Sequence, residues 1–200
     1  MKEVVGVLGG SFNPIHSGHL MLASYIAQYG PVDSVWLVLS PRSPFKSDKI
    51  LAPDSHRLAM LEMACGLSSV INSCDIELSL PRPSYTITTL RTLAARYPDK
   101  TFRLIIGSDN WAGFSGWKES EAILDEFGLM IYPRPDYELG EVHDSRVTPI
   151  KAPVIEVSSS FVRKGISEGK DMNFFLPSQV YEYIINNKLY INNDGPEIDK

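Results

Sequence analysis

Cysteine is nearly absent from the chain: of 200 residues only Cys65 and Cys74 carry a thiol. Neither belongs to a CxxC pair or stands at ligand spacing from a histidine, which argues against a disulfide framework or a metal site and reads as two plain buried thiols. Positive charge is scarce as well. Lys and Arg total 19 against 24 Asp and Glu, a net charge of -5, which leaves no global basic field for long nucleic acid or an anionic membrane. A small phosphorylated ligand stays open, because it needs only a local cluster. Long apolar runs are missing too: VWLVL and GLMIY end at Pro, Gly or charge, far short of the roughly 20 residues that a membrane helix requires. The opening MKEVVGVLGGSF offers only Val4 to Leu8 as an apolar stretch, too short for a secretory signal. The expected location is cytoplasmic, with no membrane or nucleic-acid partner.

What is present is ordinary globular material, 44% hydrophobic and 22% charged, enough for one domain over 1–190 with a frayed tail over 191–200. Strand-like runs alternate with helical stripes. Glu3 to Leu8 is a β-branched run ending in two glycines, and Gly18 to Tyr29 follows with Leu22, Ile26 and Tyr29 at helical spacing. Further strands are expected at Ser34 to Leu39, Val70 to Ser73, Thr101 to Gly107, Leu129 to Tyr132 and Val154 to Val157. Helices are expected from a cap at Asp54 to Ala64, around Leu90 to Tyr97, from Glu119 to Phe127, after Ser158 and from Pro177 to Asn187. Two proline-rich stretches, SPRSPFKSDKILAP and PRPDYELGEVHDS, are too broken for either regular element. Alternation of this kind implies a doubly wound α/β fold, a mostly parallel sheet with helices on both faces and a short C-terminal helical segment. Ligands of such sheets bind beyond the carboxyl ends of the strands, where the segments after Leu8, Leu39, Ile106, Tyr132 and Val157 should converge.

Two of those segments carry distinctive chemistry. In GGSFNPIHSGH, Gly9 to His19, two glycines allow a tight turn and close approach to a phosphate, while His16 and His19 enter a helix three residues apart on one face. The helix N-terminus aims its free N–H groups at the same anion. The spacing is neither GxGxxG nor GxxxxGK[ST], which weakens dehydrogenase and Walker-type readings. In VSSSFVR, Val157 to Arg163, Ser158 and Ser159 cap a second helix and Arg163 rises on the same face one turn later. A serine cap followed by Arg is common surface chemistry, and its weight comes from its pairing with the histidines. Past the buried strand at IIGSDN, Gly107 lets a nucleoside lie against backbone and Asp109 can accept from ribose hydroxyls, although an Asp there can equally cap the next helix. Trp117 in FSGWKE is either core filling or a platform for an electron-poor ring. Lys46 and Arg134 are loop cations suited to a phosphate.

GGSFNPIHSGH and SSSFVR together resemble the signature pair of the HxGH nucleotidyltransferase superfamily. PSYT, IIGSDN, the GW at Trp117, PRPDY and LPSQVYEYI resemble bacterial nicotinate mononucleotide adenylyltransferase, in order from Val4 to Tyr190. The resemblance implies a Rossmann-like fold and transfer of AMP from ATP to nicotinate mononucleotide in NAD biosynthesis, giving deamido-NAD and pyrophosphate. It implies that His16, His19 and Arg163 serve catalysis, and that Gly9, Gly10, Ser11, Phe12, Gly18, His19, Gly107, Asp109, Ser158, Ser159 and Arg163 bind ATP. Asn13, Lys46, Tyr85, Thr86, Trp117 and Arg134 would bind the nicotinate nucleotide, with Trp117 stacked on the pyridine. An anionic phosphate nucleophile needs positioning and charge stabilisation more than a base. Mg2+ would be held mainly by the ATP phosphates, with no metal ligands from the chain. Two departures from the family pattern are Phe45 where a His is common and Ser160 where a Thr is common. Other acceptors, such as nicotinamide mononucleotide or phosphopantetheine, and a nucleotide-binding sensor without turnover are the alternative readings.

Overall fold

In the computed structural model, residues 2–41 and 51–191 are described, so Phe45, Lys46 and the tail from 192 onward lie outside the described residues. The first strand, β1 (Glu3–Gly10), shows how the sheet is held. Leu8 packs on one face of it and Val5 and Val7 on the other. The same alternation recurs in β2 (Ser34–Leu39), β4 (Lys100–Gly107) and β5 (Leu129–Tyr132), where Leu37, Ile105 and Met130 face one core and Val38, Leu104 and Ile131 the other. A sheet buried on both faces has apolar residues at every position, which is why these runs read as continuous rather than alternating.

With β3 (Ile71–Cys74) and β6 (Val147–Pro149), six strands form one sheet of order β3-β2-β1-β4-β5-β6. Every pair is parallel. Helices α1 (Ser17–Tyr29), α2 (Asp54–Cys65), α6 (Ser159–Ser167) and α7 (Ser178–Asn186) bury Ile26, Leu61, Val162 and Ile184 in the core on one face. Helices α3 (Thr86–Arg96) and α5 (Ser120–Phe127) bury Leu90 and Ile123 on the other. The single turn α4 (Ser108–Trp111) follows β4 directly. Strand order reverses between β1 and β4, so the carboxyl ends of these neighbours open a crevice that no crossover covers.

Two expectations are corrected. The last strand is Val147–Pro149, bonded to β5 in the register Leu129 to Val147, whereas Val154 to Val157 is extended chain outside the sheet. The pairing ends with the Ile150 N–H, which bonds the Ile131 carbonyl at 2.8 Å, and Pro149 sits at an outward-facing position of this edge strand, where no donor is needed. Asp54 is not a cap, since Pro53 holds that position. Its carboxylate instead receives the Arg57 guanidinium at 2.6 Å. Tyr29 ends α1 as its spacing implies and is 77% exposed, the last buried residue of that helix being Ile26. Cys65 and Cys74 are free and buried, and burial pushes the Cys65 thiol up to about 12.

Candidate active site

The turn between β1 and α1 folds around a buried ring. Phe12 takes a left-handed backbone conformation, φ 42°, and is almost wholly buried. A side chain at Gly10 would press on that ring at 3.0 to 3.3 Å, so glycine there lets Phe12 tuck under the turn. The ring stands edge-on to His19, 5.1 Å between centroids. A bulky residue at positive φ is strained, and such strain persists only where surrounding contacts over-determine it. Those contacts are present. Arg57, fully buried, donates to the carbonyls of Ser11 at 2.5 Å, Ser40 at 2.9 Å and Ala52 at 3.1 Å. Arg163 donates to the Asn13 carbonyl at 2.7 Å, and the Asn13 amide oxygen accepts from the Ala52 N–H and the Tyr190 hydroxyl. Asn13, expected to touch the nicotinate nucleotide, thus points its oxygen into the scaffold.

His16 is the N-cap of α1 and is buried, with its ring stacked on that of His19 at 3.7 Å. The His16 N–H donates to Nδ1 of His19 at 3.3 Å, which places the proton of a neutral His19 on Nε2. A side chain at Gly18 would meet the His16 ring at 3.1 Å, so the glycine of HSGH makes room for the stack. Burial, then the nearby Arg134, lowers His16 to about 4. Burial, His16 and Arg134, in that order, hold His19 well below its ordinary value. Both imidazoles are therefore neutral at pH 7 in the ligand-free protein, and Nδ1 of His16 is buried with no hydrogen-bond partner.

The second motif packs against this turn. Ser158 caps α6, its hydroxyl accepting from the Phe161 N–H at 3.1 Å. Ser159 donates to the Pro14 carbonyl at 2.9 Å. Arg163 bridges Asn13 and the Ser160 hydroxyl, leaving its buried Nε without a partner. His16, Gly18, His19, Arg134, Ser158 and Ser159 line a cavity of about 170 Å³ closed by Val154, Ile155 and Val157. The segment that is not a strand is therefore a wall of this cavity.

At the end of β4, a side chain on Gly107 would collide with the Asp109 carboxylate and approach Arg134 Cγ at 2.9 Å. Asp109 keeps a buried oxygen without a hydrogen-bond partner, 3.8 Å from the Arg134 Nε. Ser108 fixes this corner, accepting from the Arg134 N–H at 3.0 Å and donating to the Tyr137 carbonyl at 2.8 Å. Arg134, expected on the acceptor phosphate, lines the histidine cavity. Gly107, expected on ATP, lines a second cavity of about 210 Å³ together with Gly9, Thr86, Asn110 and Trp117. Tyr132 belongs to both cavities. Trp117 rests on Phe114, 5.4 Å between centroids, and Tyr85 caps α3 just outside.

The second cavity also holds Glu77, which sequence reasoning missed. Its carboxylate accepts from the Thr89 hydroxyl at 2.8 Å, and burial raises its pKa against hydrogen bonds from Thr89 and Ser40. An acid in DIEL carries no signal that separates it from a solvated one. Arg57 did carry a signal: it lies on the helical stripe of Met60, Leu61 and Ala64, where a cation must find buried acceptors. Among the described residues no three His, Cys, Asp or Glu side chains stand close enough to hold a metal ion.

The geometry is thus a pair of adjoining cavities at a Rossmann-type switch point, one with stacked histidines and a serine-capped helix. A cytidylyltransferase-like family model matches residues 7–165. A Bacteroides thetaiotaomicron protein named probable nicotinate-nucleotide adenylyltransferase is 44% identical over 184 residues, 92% of this chain and 91% of its own. A Bacteroides fragilis protein of the same name is 43% identical over 188 residues, 92% of each chain. The nicotinic acid mononucleotide adenylyltransferase of Plasmodium falciparum, solved in complex with NaAD, aligns with a TM-score of 0.72 at 25% identity, covering 94% of this chain and 97% of that one. With likeness running the length of the fold and through both motifs, the chain belongs to the cytidylyltransferase-like family and, within it, to the nicotinate-nucleotide adenylyltransferases.

Proposed function

We propose that the chain transfers AMP from ATP to nicotinate mononucleotide, forming deamido-NAD and releasing pyrophosphate, a step of NAD biosynthesis. The observation that carries this reading is the adjacency of two unlike cavities through Tyr132. One is fitted to phosphates, the other to a flat ring beside Trp117, as a two-substrate transfer demands. ATP lies with its phosphates toward the N-termini of α1 and α6, whose N–H groups suit anions. The mononucleotide enters between Thr86 and Trp117 and turns its phosphate toward Gly9 and Gly10. A phosphate oxygen attacks the α-phosphorus, the bond to the β-phosphate oxygen breaks, and pyrophosphate leaves with the electron pair. His19, through Nε2–H, and His16 donate to the transferring group and Arg134 opposes the charge of the leaving phosphates from the same cavity, while Arg163, which lines a separate cavity with Ser160 and Tyr190, braces the turn through the Asn13 carbonyl. No side chain need form a covalent bond, and an anionic nucleophile needs no base.

A divalent ion such as magnesium fits this site only as a companion of the phosphates, because the described residues provide no carboxylate cluster to cage it. When bound, it would supply charge neutralisation to the triphosphate. The substrates are small molecules, and no helix among the described residues is long and apolar enough to cross a membrane. Pyrophosphate release, measured with ATP and nicotinate mononucleotide, nicotinamide mononucleotide or phosphopantetheine in turn, tests the assignment. Release with the nicotinate compound first among them is expected. Release without dependence on any acceptor, or none at all, refutes it.

A further inference from the structure

The two walls of the acceptor cavity touch each other just outside it. Thr86 and Trp117 line the cavity, and the residue before the first meets the residue after the second: the Lys118 ammonium lies 4.3 Å from the centre of the Tyr85 ring. A ring face holds a cation by its quadrupole without discharging it, unlike a carboxylate. No carboxylate among the described residues pairs with Lys118, and its neighbour Glu119 is taken by Arg91 at 2.8 Å. Lys118 is exposed, so its chain is free to lean toward the opening.

The cavity already contains one acid. Glu77 lines it, and its charge opposes a second carboxylate brought in on a pyridine ring. An amide in the same place meets no such opposition and can donate to Glu77. Preference for the acid is favoured by positive charge that offsets Glu77, beyond the partial charge of the α3 N-terminus at Thr86. Stacking on Trp117 does not supply it, because an indole accepts either ring.

We propose that Lys118 is a specificity-determining residue, its ammonium stationed on Tyr85 beside the gap between Thr86 and Trp117 to offset Glu77 and favour a nicotinate over a nicotinamide ring. This rests on the second cavity being the acceptor site. The ring substituent is the only difference between the two mononucleotides, so the ratio of their kcat/KM values cancels any effect of Lys118 on the shared phosphate. Lys118→Met is expected to raise KM for the acid about threefold to tenfold, the range of a partly screened charge several ångströms away, with kcat little changed. Efficiency with the amide should stay within about twofold, and Lys118→Arg should restore the ratio by returning the charge. Raising the salt concentration should narrow the ratio in the parent and leave it flat in Lys118→Met. An unchanged ratio in Lys118→Met, or an equal fall for both substrates, overturns the proposal while leaving the adenylyl transfer intact. A parent that adenylylates neither mononucleotide overturns the reading beneath it.

Discussion

The stacked histidines make the ligand-free protein acid-sensitive in a window of their own. His16 titrates at about 4 in the fold against an ordinary 6.5, so the unfolded chain binds its proton first and stability falls as pH drops through this range. The contribution is fully present above pH 6.5 and is lost progressively toward pH 4. Over the full interval the shift corresponds to about 3 kcal/mol, of which about 2 kcal/mol is lost by pH 5. His19 is displaced in the same direction and adds to the loss. Glu3, Glu126 and Glu168 are held low by Lys100, Arg91 and Lys170, so their contributions vanish below the histidine window. Glu77 is raised and works the other way, favouring the fold as pH falls and partly masking the histidines near pH 5. Denaturant midpoints at half-unit steps from pH 7.5 to roughly 5 should fall steeply in the parent and much less in a His16→Asn, His19→Gln double variant. A non-hydrolysable ATP analogue should flatten the parent curve, because phosphates beside the rings raise both pKa values and couple binding to proton uptake. Parallel curves for parent and double variant would refute the neutral, buried histidine pair.

His19→Ala should lower kcat by about two to four orders of magnitude, with substrate affinity changing far less, since a preorganised donor to the transferring phosphoryl group disappears; single-turnover kinetics separates the two. Arg163→Lys keeps the charge but cannot hold the Asn13 carbonyl and the Ser160 hydroxyl together, and is expected to cost at least about tenfold in kcat/KM for ATP. Arg57→Met leaves the carbonyls of Ser11, Ser40 and Ala52 without their buried donor; a loss of about 3 to 5 kcal/mol in chemical denaturation is expected, and a loss under about 1 kcal/mol would show the clamp to be dispensable.

The sheet was legible because burial on both faces writes itself into composition: Val35 to Leu39 and Leu104 to Ile106 have no polar position to confuse the reading. The histidine turn and serine cap were legible because their residue types are rare together. Direction was not legible. Arg134 lines the histidine cavity and Gly107 the second, with Tyr132 shared between them, and sequence order does not say which of two adjoining cavities a residue lines. Val154 to Val157 has the residues of a strand, but the edge strand ends at Pro149 and this segment lines the histidine cavity instead, a choice of partner that residue types alone do not reveal. The scaffold bonds of Asn13 were hidden for a related reason. Its partners, Ala52 and Tyr190, are 39 and 177 residues away, and nothing local announces them.

That long reach explains how a chain with net charge -5 can hold two phosphorylated substrates. Fixed positive charge in a cavity would repel itself and resist burial, and on the proposed reading two of the side chains that would meet phosphate are imidazoles held neutral by burial. The permanent cations are each restrained from behind, Arg163 by Asn13 and Ser160, Arg134 by its own N–H on Ser108. Two helix N-termini add partial charge that needs no desolvation. Such a site adds to its fixed positive character as negative charge enters it. Arg57, Asn13 and Tyr190 then act as the frame rather than the site: they fix the turn against strand β2 and the C-terminal segment, so that the stack of His16 on His19 is set before ATP binds. Preorganisation of this kind is what an attack of one phosphate on another requires, since the barrier lies in bringing like charges together and holding them in line.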